Sequence, residues 1–222
     1  MTKTENRLLY VFAFLMATVV ALSNYLVQFP VNYYGLENIL TYGAFSYPIT
    51  FLITDLISEI YGKKRANAIV TVGIFASIFS ILIIYVANSV PAIEASPVSN
   101  ELFSTVFGST VIAVFASMLS YLFAQYVDIH IYHFWKGLTK GKMLWLRNNF
   151  STFFSQFLDT FTIILLLCLS NVLMWDQFLG LLLSGFIFKV AIALIDTPFL
   201  YLGVYMFRKR FNLKINEEIN ID

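Results

Sequence analysis

The sequence predicts an all-α integral membrane protein: one domain spanning residues 1–222, six transmembrane helices, and both termini cytoplasmic. Three observations carry that expectation. Hydrophobic residues make up 59% of the 222-residue chain and charged ones only 12%, about half the charged share of an ordinary soluble domain. The apolar residues gather in runs of roughly 20, the number a helix needs to cross about 30 Å of hydrocarbon. Lys and Arg occupy alternate connections between those runs, as the positive-inside rule requires of a multi-span chain.

The spans follow in order. Leu8–Phe29 has too long an apolar core for a cleaved secretory signal, and "VVALSNYLVQF" runs past any small-residue cleavage site. Its amides Asn24 and Gln28, four apart, share one helix face. Ala44–Tyr61 carries Asp55 and Glu59 at the same spacing, and Ala66–Ala87 carries no charge. Thr105–Tyr132 closes on "DIHIY", with Asp128 and His130. Thr152–Asn171 holds Gln156, Asp159 and the single cysteine, Cys168, expected as a small buried hydrophobe. Phe178–Phe207 holds Lys189 and Asp196, and is long enough to tilt or break, with Pro198 the expected kink.

The connections set the orientation. Lys3 and Arg7 precede the first span, and Lys63, Lys64 and Arg65 fill the turn after the second. Lys136, Lys140, Lys142 and Arg147 follow the fourth, and Arg208, Lys209, Arg210 and Lys214 follow the sixth. Thirteen of the 14 cations therefore fall on one side, which the rule assigns to the cytoplasm. Lys189 is the exception.

Composition also excludes function classes. A net charge of +1 gives no basic character suited to nucleic acid. A lone cysteine forms no internal disulfide. There is no Walker loop, dinucleotide fingerprint or nucleophile elbow. His130 and His133 are spaced to share a metal but lack further nearby ligands, so no metal and no cofactor are expected. An intramembrane enzyme using Asp128, His130 and His133 is the weaker rival reading.

The ionisable groups inside the spans are the functional clue. A charge at the membrane centre costs at least ~2.5–3.5 kcal/mol, so each needs a partner or a watery cavity. Asp55, Asp128, Asp159, Lys189 and Asp196 arise on four different spans, which favours convergence on one polar interior. Lys189 is expected beside one of those acids. Glu59 and His133 lie near span ends and can reach headgroups instead. Asp196 can satisfy backbone groups freed by Pro198. Most of the 23 Phe and 13 Tyr face lipid or the interface, leaving a few to stack on a planar ligand.

"SNYLVQFP" (23–30), "YGAFSYPITFLITDL" (42–56), "DIHIY" (128–132), "STFFSQFLDT" (151–160) and "FKV" (188–190) resemble the queuosine-precursor transporter family, within the vitamin uptake transporter group. The resemblance implies a bacterial inner-membrane importer of 7-cyano-7-deazaguanine or a related 7-deazaguanine, either a secondary transporter or a facilitator. Asn24, Gln28, Asp55, Gln156, Asp159 and Lys189 become the implied substrate-binding set. Asp128, His130, Glu59 and Asp196 become a proton or polar network. A carboxylate can accept from adjacent N–H groups of a guanine-type edge, and Lys or an amide can donate to its carbonyl. The expected partners are this small molecule and the bilayer, with no nucleic acid; a homodimer is compatible with the sequence. The alternative is a substrate-capture subunit of an energy-coupling-factor importer, driven by separate ATPases.

Overall fold

Helix-forming apolar runs separated by Gly-, Pro- and Asn-bearing turns become helices wherever the chain is described. The structure, a computed structural model, describes the backbone of residues 3–26, 30–31, 40–108 and 111–219. It describes the side chains of residues 7–23, 48–107 and 115–219. Each expected span coincides with a long helix: α1 (Lys3–Leu26), α2 (Tyr42–Ile60), α3 (Lys63–Ser89), α5 (Val111–Leu138), α6 (Leu144–Leu169) and α7 (Phe178–Phe211). A short α4 (Asn100–Phe103) continues into a π-helical turn, and strands β1 (Pro30–Val31) and β2 (Leu40–Thr41) pair antiparallel. Lys63–Ser89, Leu144–Leu169 and Trp175–Phe211 are long and apolar enough to cross a membrane; Arg7–Ser23 is a shorter apolar helix.

α2 is the hub. It packs on α1, α3, α5 and α7, and none of its residues from Thr50 to Ile60 is exposed. Ile53, Ile57 and Ile60 join Met16 and Val20 of α1, Ile69 and Val70 of α3, and Tyr121 and Ile129 of α5 in the main core. Gly73 lets α3 approach closely, because a Cβ there would stand 3.2 Å from the Tyr121 hydroxyl. At Gly62 a φ of 79° turns α2 sharply into α3, a conformation that suits a residue without Cβ. α7 is the opposite case: it is peripheral, and its outward Leu, Ile, Phe and Tyr side chains are exposed.

Three boundaries differ from the sequence expectation. The fourth span's helix starts at Val111 rather than Thr105, because Ser104–Gly108 forms the π turn, and it extends to Leu138. The fifth begins at Leu144, eight residues before Thr152. Arg147, Asn148 and Asn149, expected in a loop, are buried inside α6, where Glu59 of α2 answers Arg147 and Thr197 of α7 answers Asn149. α7 runs unbroken through Pro198, so the proline does not end the helix.

Candidate functional site

A buried helix can hold polar side chains only if neighbours answer them. α2 carries Thr50, Thr54, Asp55, Ser58 and Glu59, all buried. The hydroxyl of Thr54 donates to Gln125 Oε1 of α5 at 3.0 Å, so part of this polarity ties helix to helix. Asp55 serves a different purpose. Together with Asn148, Thr152 and Gln156 of α6 and Lys189 and Asp196 of α7, it lines a narrow cleft floored by Phe51 and Leu52. About 10 Å³ of the cleft is open, room for one water molecule.

Four oxygens in this cleft are buried without a hydrogen-bond partner among the described residues: Asp55 Oδ1, Asn148 Oδ1, Thr152 Oγ1 and Gln156 Oε1. An unanswered buried polar atom costs about 1–3 kcal/mol. Their convergence marks a place built to meet donors. The two amides can also turn over and present N–H groups. Lys189 donates to Asp159 Oδ2 at 2.5 Å, one turn further along α6, which supplies the acid expected beside it. Behind Asp55, Asp128 accepts from Ser155 at 2.9 Å and lies close enough for the two carboxyls to interact.

Glu59 belongs to another construction. Its Oε2 accepts from the Tyr132 hydroxyl at 2.9 Å and stands 2.6 Å from Arg147 Nη2. Its Oε1 accepts from Arg208 at 2.5 Å, and Lys136 Nζ stands 3.7 Å from Oε2. Lys136 also donates to Glu218 Oε1 at 2.7 Å, while the Arg147 guanidinium lies 5.4 Å from the Tyr132 ring centre. One fully buried carboxylate thus gathers cations from α5, α6 and α7. This clamp joins four helices.

The two acids of α2 therefore share a face but not a task. Of the sequence-predicted set, Asp55, Gln156, Asp159, Lys189, Asp196 and Asp128 come together in and around the cleft. Glu59 does not join them, because three cations already engage it. His130 is a correction to the expected network. It is exposed, and its Nδ1 lies 2.7 Å from the Tyr126 carbonyl of its own helix. Side chains two apart on a helix point to opposite sides, so Asp128 inside places His130 outside. The side chain of Asn24 and all of Gln28 lie outside the described residues. Among the described residues no cluster of His, Cys, Asp and Glu is arranged to hold a metal. The sequence reading missed Asn148 and Thr152. The signal was available: Asn148, Thr152 and Gln156 recur every fourth residue, as do Arg147, Ser151 and Ser155.

Comparison with known proteins places this cleft in context. The family model described as "Putative vitamin uptake transporter" matches residues 41–203, which include every cleft residue named above. A "Probable queuosine precursor transporter" of Bacillus subtilis (strain 168) is 30% identical over 164 residues, covering 72% of this chain and 70% of the relative. A "Queuosine precursor transporter" of Escherichia coli (strain K12) is 31% identical over 190 residues, covering 80% and 77%. A "Probable queuosine precursor transporter" of Haemophilus influenzae is 25% identical over 169 residues, covering 71% and 68%. No solved structure matches the chain. The apolar helices and these relatives make it a membrane protein and a transporter rather than an enzyme. With the matched segment reaching from the start of α2 to near the end of α7, the chain belongs to the vitamin uptake transporter family.

Proposed function

We propose that this chain imports a 7-deazaguanine queuosine precursor, such as 7-cyano-7-deazaguanine, across the bacterial inner membrane by alternating access. The names of its relatives motivate the substrate class. The observation that carries the reading is the convergence of unanswered acceptors in one cleft, beside a partly buried ammonium. A guanine-type edge presents adjacent N–H donors next to a carbonyl. Asp55 Oδ1 and Gln156 Oε1 would take the donors, and Lys189 would give to the carbonyl. Phe51 offers a ring for stacking, worth about 1–3 kcal/mol per base.

With room for about one water, the cleft must widen to admit a bicyclic base. α7 is the element to move, since α2 has no exposed residue from Thr50 to Ile60 and α7 is peripheral. In this reading the six long helices cross the bilayer, the cation-rich turns and both termini are cytoplasmic, and Asp128 supports Asp55 from behind. The deciding experiment is uptake of labelled 7-cyano-7-deazaguanine into ATP-free proteoliposomes containing this chain alone. Saturable uptake competed by unlabelled base is expected. No uptake by folded protein, or uptake only with added ATPase subunits, would sink the proposal.

A further inference from the structure

A second cavity, of about 670 Å³, opens where the start of α6 meets the end of α7 and the tail beyond it. Its lining includes Lys142, Arg147, Arg208 and Lys209, and no acid. Glu59 answers Arg147 and Arg208 from behind, which leaves the cavity with a clear excess of positive charge. Two of its donors are still unused: Arg147 Nε and Arg208 Nε are buried without a hydrogen-bond partner among the described residues. Arg147 is fully buried and Arg208 partly so, which holds their charge behind the wall rather than sweeping it through solvent. The N-terminus of α6 adds its partial positive charge, because Met143 supplies no side-chain cap.

Apart from Asn212, the rest of the wall is apolar or aromatic. Leu144 and Val204 are buried in it, Leu213 is partly buried, and Tyr201 and Tyr205 stand exposed at the side. Both helices are long and apolar enough to cross a membrane, so this cavity sits where one of them enters and the other leaves. Tyrosine at such a level is typical of the headgroup zone. A fixed cationic floor with an apolar wall at that depth suits one class of ligand: an amphiphile with a phosphate head. Basic pockets between spanning helices hold anionic lipid headgroups for the same electrostatic reason.

We infer that this cavity is a binding site for an anionic phospholipid, whose phosphate meets Lys142, Lys209 and the exposed edge of Arg208, over the charge of the buried Arg147, while its chains lie along α7. The site is independent of what the central cleft transports. Bound there, the phosphate would share Arg208 with Glu59, so lipid occupancy bears on the four-helix clamp.

The test uses the purified full-length chain in detergent, titrated with dioleoylphosphatidylglycerol or dioleoylphosphatidylcholine and read by native mass spectrometry. Phosphatidylglycerol is expected to bind selectively. The double variant Lys142→Gln/Lys209→Gln, at two exposed positions that leave the fold intact, should weaken it about thirtyfold, from roughly fivefold per cation. Lys63→Gln/Lys64→Gln, equally exposed but outside the cavity, should leave it unchanged. Equal weakening by both pairs would mean diffuse attraction and overturn the site, as would no weakening by the first. Displacement of the lipid by excess inorganic phosphate would overturn the phospholipid assignment, because the apolar wall would then contribute nothing.

Discussion

The Lys189–Asp159 pair should behave as a coupled unit whose breakage is worse than its loss. The two groups lie 2.5 Å apart, with side-chain exposures of 16% and 5%. Asp159→Asn leaves a mostly buried ammonium without its carboxylate, and Lys189→Met leaves the carboxylate without its ammonium. Removing one partner of a buried pair costs about 3–5 kcal/mol, whereas replacing both by neutral groups is close to neutral. Each single variant should therefore lose about 3 kcal/mol, or roughly 6–12 °C in Tm for a chain of this size. The double variant should lose no more than either single one, giving a coupling energy of about 3 kcal/mol. The chain supplies its own reporter. Cys168 is its single cysteine and is buried, so a thiol-reactive dye will label it only on unfolding. The restored double variant should still fail to take up the base, because Lys189 is also the proposed donor to its carbonyl. Additive single losses, with coupling below ~0.5 kcal/mol, would refute the pairing argument.

Other expectations follow from the same geometry. Asp55→Asn should preserve expression and thermal stability while strongly reducing precursor uptake, because it removes the charge and one lone-pair-rich oxygen facing the cleft; normal uptake would exclude a direct contact. Glu59→Gln should be the more damaging variant to the fold, by about 3–5 kcal/mol, since it leaves the Arg147 and Arg208 cations unanswered; a thermal midpoint like that of the unaltered chain would disprove the clamp. His130→Ala should leave uptake and its pH profile unchanged, and an altered acid limb would restore the histidine to the network.

Much of this arrangement is legible in the sequence because lipid leaves so few choices. Each apolar run coincides with a helix, and Asp55, Gln156, Asp159, Lys189 and Asp196 converge as charge economy demands. What sequence alone hides is which side of a span end a polar residue belongs to. Arg147 sits among loop cations by charge counting, yet its partner Glu59 lies ninety residues earlier, on a helix whose packing no local pattern reveals. The boundary of α6 was misplaced for the same reason: hydropathy stops at Thr152, whereas a four-residue polar period continues back to Arg147. His130 erred the other way. Its proximity to Asp128 in the chain suggested a shared site, although helix geometry alone separates them.

α7 carries Lys189 at the cleft and Arg208 at the clamp on one unbroken rod. At 1.5 Å per residue, Arg208 stands about 18 Å beyond Asp196, so a tilt of roughly 10° about that point swings it by about 3 Å. That displacement exceeds the reach of a 2.5 Å contact with Glu59. In the proposed motion the helix would act as a lever driven from its short arm, so that a small shift at the cleft becomes a larger one at the bolt.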